Sequence, residues 1–142
     1  MLAGMVRRIA LLAAGMFALA LMPVVALADS CWVHNGSLMR LKAAGNQRAF
    51  YYEYPKQTMR GAGVTHGTLL FNGSNVNGRY SGTARVFSRY CPSTPLEYYV
   101  EGPVDRNQTR VTLRGSRELM ERCRPTGRRA TDTLVFTYSH QC

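Results

Sequence analysis

RYSGTARVFSRYC, the stretch Arg79–Cys91, alternates in character along its length. Its even-numbered residues, from Tyr80 to Tyr90, are aromatic, apolar or small, whereas its odd-numbered residues are mostly arginine, serine and threonine. Period-two alternation predicts a strand with one face in the core and one in solvent. Small residues in mid-strand, Gly82 and Ala84, indicate close approach of a neighbouring chain, as at a bend in a small barrel. The stretch therefore predicts a basic β-domain in which this strand ends in a cysteine.

Turn residues divide the rest of the chain into similar short segments. Asn35-Gly36 is a strong two-residue hairpin signal, and Asn72–Gly78 and Gly102-Pro103 also mark turns. Arg110–Arg114 alternates cleanly, and Thr133–Tyr138 is the predicted closing strand. About eight strands at hairpin spacing predict an all-β antiparallel meander that closes into a small barrel, with a β-sandwich as the alternative.

Three segments are predicted to lie outside the strands. Lys56–His66 is the longest interruption and has no periodicity, which predicts a mobile loop over one barrel mouth or edge. Glu118–Arg122 is predicted to form one helical turn, and Arg124–Ala130 a basic loop.

Residues 1–28 are predicted to be a signal peptide rather than part of the folded domain. Arg7-Arg8 gives a positive start, Ile9–Leu21 is an apolar run, and Ala26-Leu27-Ala28 is a small-x-small cleavage site. The alternative is an uncleaved membrane anchor. Cleavage would leave 29–142 as one disulfide-stabilised domain without a stable membrane span, either periplasmic or secreted.

The charge of the predicted mature domain is strongly positive and is carried by arginine. Without residues 1–28 the chain keeps 16 basic and eight acidic residues, a net charge of +8. Lys42 and Lys56 are the two lysines in the sequence. Arginine favours bidentate contacts with carboxylate, phosphate or sulfate groups over simple point-charge attraction.

The sequence contains four cysteines, Cys31, Cys91, Cys123 and Cys142. An even number in an exported chain predicts two disulfides rather than a metal site or a catalytic thiol. Three pairings are possible. We favour Cys31–Cys142 with Cys91–Cys123, because the first and last strands of a closed meander meet.

Catalytic and metal-binding patterns do not emerge from the sequence. The three histidines, His34, His66 and His140, lie in separate segments, and no pair has the spacing of metal ligands. No nucleophile elbow, zinc-protease motif or phosphate-binding glycine loop is present. We therefore expect a protein that is not an enzyme and has no cofactor, with each histidine an ordinary surface or edge residue.

Aromatic residues share the parity of the predicted apolar strand faces, among them Phe50, Tyr52, Tyr54, Tyr80, Tyr90, Tyr98, Phe136 and Tyr138. A barrel interior lined by tyrosines is either filled and internally hydrogen-bonded or a ligand pocket. We favour a filled interior. The alternative function is a small-ligand carrier that uses this interior.

Arginine provides the main functional signal. The candidate residues for binding an anion or partner are Arg79, Arg85, Arg89, Arg110, Arg114, Arg128 and Arg129, with Arg122 and Arg124 nearby in the last predicted loop. They predict a binding module for an anionic envelope glycan or lipid, or for an acidic protein. Export argues against nucleic acid as the partner. The alternative is a solvated basic surface that only maintains solubility.

Three segments, Trp32–Ser37, Gly67–Phe71 and Tyr80–Ala84, resemble a group of small secreted bacterial proteins of unknown function. A weaker likeness is to the periplasmic C-type lysozyme inhibitors, which are small disulfide-tied β-barrels with an inhibitory Ser-Gly-x-x-Tyr motif. Here Ser81-Gly82 is followed by Thr83-Ala84-Arg85, without that tyrosine. The likeness implies a second alternative function, inhibition of a lysozyme-like hydrolase. The candidate inhibitory loop contains Lys56, Arg60 and His66, because an inserted arginine could pair with catalytic carboxylates.

Overall fold

The computed structural model describes residues 28–92 and 94–142. The predicted signal peptide falls almost wholly on residues 1–27, outside the described residues. Eight strands and one short helix form the described chain: β1 Ser30–His34, β2 Ser37–Ala44, β3 Gln47–Tyr54, α1 Gln57–Gly61, β4 Leu69–Val76, β5 Arg79–Val86, β6 Leu96–Pro103, β7 Arg110–Glu121 and β8 Arg124–Gln141. Within these residues, no helix is long and apolar enough to cross a bilayer.

The strands pair antiparallel in chain order, and β1 pairs with β8 to close the barrel. The closing seam brings Ser30 opposite Gln141 and Val33 opposite Thr137. The prediction of an eight-stranded antiparallel barrel is confirmed. Because a meander alternates its turns between the two ends, the β1–β2, β3–β4, β5–β6 and β7–β8 connections share one end, the mouth. The remaining connections, the start of β1 and the end of β8 lie at the opposite end, the base.

The interior of the barrel is filled by aromatic and aliphatic side chains. Phe50 stacks on Phe136 with ring centroids 3.9 Å apart, and Trp32 meets Phe50 edge-on at 5.8 Å. Phe71, Met39 and Leu113 are also fully buried. These side chains fill the barrel interior below the mouth, as expected for a small eight-stranded barrel.

Gly82 faces Gly73 across the β4–β5 pair, and a Cβ on either residue would collide with backbone atoms of the other strand. The close approach that the small mid-strand residues indicate is therefore present. It allows β4 and β5 to bend around the packed core.

Strand β5 is shorter than predicted. It ends at Val86, opposite Leu96, and not at Cys91. The amide of Tyr90 donates to Ser88 Oγ at 3.2 Å, and that of Cys91 to the Ser88 carbonyl at 3.0 Å. These local hydrogen bonds turn the chain away from the sheet, so the β5–β6 connection begins five residues earlier than the alternation predicts.

The two predictions for the segment after Leu113 are wrong. Glu118–Arg122 is not a helical turn, and Arg124–Ala130 is not a loop, because both belong to a long β7–β8 hairpin. The turn consists of Arg122 and Cys123, whose φ angles are 45° and 68°. Two successive residues with positive φ match the twist of a tight hairpin. Pairing with β1 is limited to the last part of β8, so the hairpin tip (residues 118–129) extends past β1.

The segment Lys56–His66 has more structure than predicted. Gln57–Gly61 forms α1, and the following Val64 is fully buried while Ala62 is 6% exposed. Because Val64 joins the core cluster, the segment is anchored over the mouth and is not a structureless loop.

Two disulfides fasten the barrel at different places. Cys31–Cys142 joins the ends of β1 and β8, with Cα atoms 5.1 Å apart, and Cys91–Cys123 joins the β5–β6 connection to the turn of the hairpin, at 5.6 Å. This is the pairing that the sequence favours. Two structural disulfides indicate an oxidising, exported environment.

Candidate functional site: the hairpin tip and the barrel mouth

Two of the candidate arginines lie on the outer face of β5, where they are matched by glutamates of β6. Arg79 Nη2 lies 3.1 Å from Glu101 Oε1, and Arg85 Nε lies 3.3 Å from Glu97 Oε1. Arg85 also donates to Asn72 Oδ1 at 2.8 Å. Hydrogen bonds from Arg79 and Tyr99 lower the pKa of Glu101. This wall is therefore a mixed surface of paired charges.

Three further candidates lie apart from this pair. Arg114 donates to Thr133 Oγ1 at 3.2 Å on the β7–β8 face. Arg110 begins β7 and so lies at the base. Arg89 belongs to the β5–β6 connection, where its guanidinium lies 4.9 Å from the ring centre of Tyr90. The seven candidate arginines do not form one continuous face.

The hairpin tip carries the largest group of exposed arginines. Arg122, Arg124 and Arg128 line an open groove of about 790 Å³, together with Glu121, Pro125 and Thr126. All three arginines are exposed. None of them forms an ion pair with a carboxylate of the described residues. The fourth arginine of the tip, Arg129, donates to Ser116 Oγ and to the Ser116 carbonyl.

Local hydrogen bonds hold the tip in a defined shape. Thr126 Oγ1 donates to the Leu119 carbonyl at 2.8 Å, and the amide of Arg128 donates to Thr126 Oγ1 at 3.2 Å. A bulge between Glu118 and Met120 accompanies these contacts. The Cys91–Cys123 disulfide then fixes the turn against the β5–β6 connection. The arginines therefore project from a braced hairpin.

An apolar cleft of about 500 Å³ lies beside the arginine groove, between the hairpin and the β5–β6 connection. Pro95, Leu96, Leu119 and Met120 contribute to its lining. Tyr90, 60% exposed, lies at the same cleft. Positive charge and apolar surface thus adjoin each other at the mouth end of the barrel.

The three residues of the predicted inhibitory loop point to different surroundings. Arg60 is exposed on α1, and its guanidinium lies 5.5 Å from the ring centre of Tyr54. His66 Nε2 lies 3.3 Å from Glu53 Oε2 on the outer wall. Lys56 lines a separate cavity in the mouth. The segment presents Arg60 alone as an exposed cation on its helix.

The mouth holds a cavity of about 300 Å³ whose lining includes Tyr52 and Tyr98, two tyrosines that the sequence placed on inner strand faces. His34, which we expected at the surface, lies at its wall and is 7% exposed. The ring stacks on Phe136 at 4.6 Å, and Nδ1 lies 2.9 Å from the Val135 carbonyl. Burial lowers the pKa of His34, and the nearby Lys56 charge acts in the same direction. The other two histidines, His66 and His140, are exposed as expected.

Two tyrosines and one carboxylate also belong to the polar lining of this cavity, which further includes Asn35, Ser37, Arg85 and Thr133. Burial raises the pKa of Tyr52 to about 12. Tyr98 donates to Asp132 Oδ2 at 3.1 Å, and Arg117 Nε lies 2.5 Å from the same oxygen. Burial, followed by the Asp132 charge, raises the pKa of Tyr98. Within the described part of the chain, no group of three or more histidine, cysteine, aspartate or glutamate residues could hold a metal ion.

Comparison of the chain with protein-family models, with curated proteins and with solved structures found no match. No family is therefore assigned. Function has to be inferred from the geometry of the hairpin tip and the mouth.

Proposed function

We propose that the protein is an exported, non-enzymatic binding module that engages an anionic glycan or lipid of the cell envelope through the hairpin tip. One observation carries this proposal: Arg122, Arg124 and Arg128 line one open groove and form no ion pair with the described carboxylates. The two disulfides favour a periplasmic or secreted location.

The chemistry of the groove fits phosphate, sulfate or carboxylate groups. Each guanidinium offers a planar fork of donors that matches these anions in bidentate geometry. The disulfide and the Thr126 hydrogen bonds hold the hairpin in shape before any partner arrives. Pre-organisation reduces the entropy lost on binding.

The apolar cleft narrows the class of partner. A ligand that carries anionic groups next to a ring face or an acyl chain could occupy the groove and contact Tyr90 or Met120, both exposed at the cleft. Envelope lipids and acidic glycans have this combination. An acidic protein is the other partner that the charge would attract, since a net charge of +8 on 29–142 raises encounter rates with any polyanion.

The proposal is tested with two triple variants that lose the same charge. One carries Arg122→Gln, Arg124→Gln and Arg128→Gln at the tip; the matched control carries Lys42→Gln, Arg48→Gln and Arg106→Gln at the base. Sedimentation with phosphatidylglycerol vesicles and retention on an immobilised acidic polysaccharide measure binding at low and high salt. We expect the tip variant to lose at least about tenfold in affinity at low salt, and the control to stay within about twofold.

Two results would contradict the proposal. Equal losses in the two variants would show that net charge alone drives binding. Unchanged binding of the tip variant would show that another surface is used. Capture of a discrete acidic protein from an envelope extract, in place of vesicle or glycan binding, would move the proposal to a protein partner.

A second candidate function is inhibition of a lysozyme-like hydrolase. The observation that favours it is the anchoring of α1 by buried Val64, which holds exposed Arg60 on an ordered helix over the mouth. Arg60→Ala should abolish inhibition of such an enzyme and leave vesicle or glycan binding intact. An unchanged inhibition constant in this variant would remove the candidate.

A further inference from the structure

The cavity in the mouth differs from the arginine groove in position and in chemistry. It is lined by side chains from separated segments of the chain, including His34, Tyr52, Lys56, Tyr98 and Asp132. Apolar walls are supplied by Met59, Leu70, Val86, Phe87 and Leu134. Its volume of about 300 Å³ is at the lower end of the range for small-molecule sites.

Tyr52 is the side chain that points most clearly to a ligand. The residue is 2% exposed, yet its hydroxyl forms no hydrogen bond with any of the described residues. Tyr98, in contrast, already donates to Asp132. Among the described residues, Asn75 Oδ1 is the buried side-chain polar atom without a partner, so the Tyr52 hydroxyl is accessible from the mouth cavity, where water or a ligand can accept its hydrogen bond. Tyr52 therefore has a donor available to an occupant of the cavity.

Lys56 supplies a positive charge at the same cavity. Its backbone amide donates to Ser37 Oγ at 3.0 Å, which fixes the start of the β3–β4 segment. The Cδ atom of its side chain lies 3.7 Å from where a Cβ on Gly36 would be, so the side chain passes across the β1–β2 turn. None of the described carboxylates forms an ion pair with Lys56.

Two other polar residues of the cavity, His34 and Asp132, already have partners. A carbonyl oxygen only accepts, so His34 Nδ1 carries the proton that it donates to Val135. Its Nε2 then accepts from Asn35 Nδ2 at 3.4 Å. Asp132 is neutralised by Arg117 and also accepts from Tyr98. The lining residue Arg85 is paired with Glu97 and Asn72. Lys56 and Tyr52 are two donors of the cavity that make no side-chain contact of this kind with the described residues.

We propose that the mouth cavity binds a short-chain carboxylic acid as its anion. The carboxylate would accept hydrogen bonds from the Lys56 ammonium and the Tyr52 hydroxyl. The apolar chain would pack against Met59, Leu70 and Phe87, which line the cavity wall. This site is independent of the arginine groove and does not require the proposed envelope binding.

Hexanoate is the probe, with hexanol as its neutral counterpart and palmitate as a long-chain acid. Titration followed by NMR of the oxidised mature protein gives both the dissociation constant and the residues whose amide signals shift. We expect hexanoate to shift signals around Tyr52, Lys56 and Phe87, and hexanol to bind at least about tenfold more weakly. Palmitate should not compete, because the cavity is small.

Two variants locate the donors. Tyr52→Phe removes one hydroxyl, and Lys56→Gln removes one exposed charge without touching the core. Each should weaken hexanoate binding by about tenfold. The matched controls are Tyr80→Phe and Lys42→Gln near the base, which should leave the dissociation constant unchanged.

Several results would overturn the proposal. They are the absence of hexanoate binding to the wild-type protein, equal affinity for hexanol, and preference for palmitate. Unchanged affinity in Lys56→Gln would also overturn it, even if Tyr52→Phe failed to fold.

Discussion

The β5–β6 wall and the hairpin tip both carry several arginines, but only the wall arginines form ion pairs with described carboxylates. On the wall, Arg79 and Arg85 lie within 3.3 Å of the carboxylates of Glu101 and Glu97. At the tip, Arg122, Arg124 and Arg128 form no ion pair with any described carboxylate. Wall arginines therefore contribute to the folded barrel, whereas tip arginines remain available to a partner. The abundance of arginine alone does not distinguish the paired arginines from the unpaired ones.

Removing a disulfide should cause the largest loss of stability, and the two disulfides should differ in their effect on anion binding. Replacing Cys31 and Cys142 by serine opens a loop with a sequence separation of 111, and replacing Cys91 and Cys123 opens one of 32. Chain entropy predicts losses of about 5 and about 4 kcal/mol in the free energy of unfolding. Replacing Cys91 and Cys123 should also weaken anion binding, because the hairpin tip is then no longer fixed to the β5–β6 connection. Urea unfolding and vesicle sedimentation measure the two effects; unchanged binding after loss of Cys91–Cys123 would contradict the bracing role.

Glycine substitutions should give the next largest contrast. Gly82→Ala in β5 would drive a Cβ into the Asn72 carbonyl, so we expect a loss of about 3 kcal/mol or more in the free energy of unfolding. Gly127→Ala at the tip meets no atom within 4 Å but must keep a φ of +77°, which should cost about 1 kcal/mol. Chemical denaturation compares the two variants. Equal losses would mean that the β4–β5 contact is looser than the structure shows.

Single arginine substitutions in the two regions should have opposite effects. The wall variant should lose stability, and the tip variant should lose anion affinity. Arg85 is 15% exposed and bonded to both Glu97 and Asn72, so Arg85→Gln should cost about 1 kcal/mol in stability with little change in anion affinity. Arg124→Gln should leave the unfolding midpoint unchanged and weaken anion binding. Thermal melts and vesicle titrations of the two proteins provide the comparison. A loss of stability in Arg124→Gln, with none in Arg85→Gln, would contradict this prediction.

The smallest expected effect is a change in the pKa of Glu101 on the wall. Hydrogen bonds from Arg79 and Tyr99 lower the pKa of Glu101 below its ordinary value. A carboxyl whose pKa is lowered by folding stabilises the protein above its unfolded pKa, and this contribution is lost as the pH falls through the folded value. Arg79→Gln should therefore raise the midpoint of Glu101 in an NMR titration. An unmoved midpoint would show that the Arg79–Glu101 pair is not formed in solution.

The sequence predicted the barrel well because its strongest signals are local. Period-two alternation located β5, and Asn35-Gly36 located the first hairpin turn. The β7–β8 hairpin escaped because Glu118–Arg122 consists of good helix formers, and cross-strand pairing such as Glu118 with Arg129 overrides that preference. Local propensity does not reveal a strand partner such as Arg129, which follows Glu118 eleven residues later in the chain.

The candidate sites were less accessible from sequence, since both depend on register. Whether an arginine is paired depends on the register and on side-chain geometry: Arg85 pairs with Glu97 directly opposite, whereas Arg124 lies opposite Glu121 without forming an ion pair. A shift of one residue would exchange the faces of a strand. The lining of the mouth cavity comes from distant parts of the chain, and no spacing rule connects its residues His34, Tyr52, Lys56, Tyr98 and Asp132. Parity alone placed Tyr52 and Tyr98 on inner faces without showing which hydroxyl has a partner.

The most direct test of the central claim is an NMR titration that follows the arginine Nε–Hε signals while phosphatidylglycerol vesicles are added to the oxidised mature protein. The account predicts that the signals of Arg122, Arg124 and Arg128 shift or broaden first, while those of Arg79 and Arg85 stay in place. Perturbation of the wall signals with an unaffected tip would contradict it.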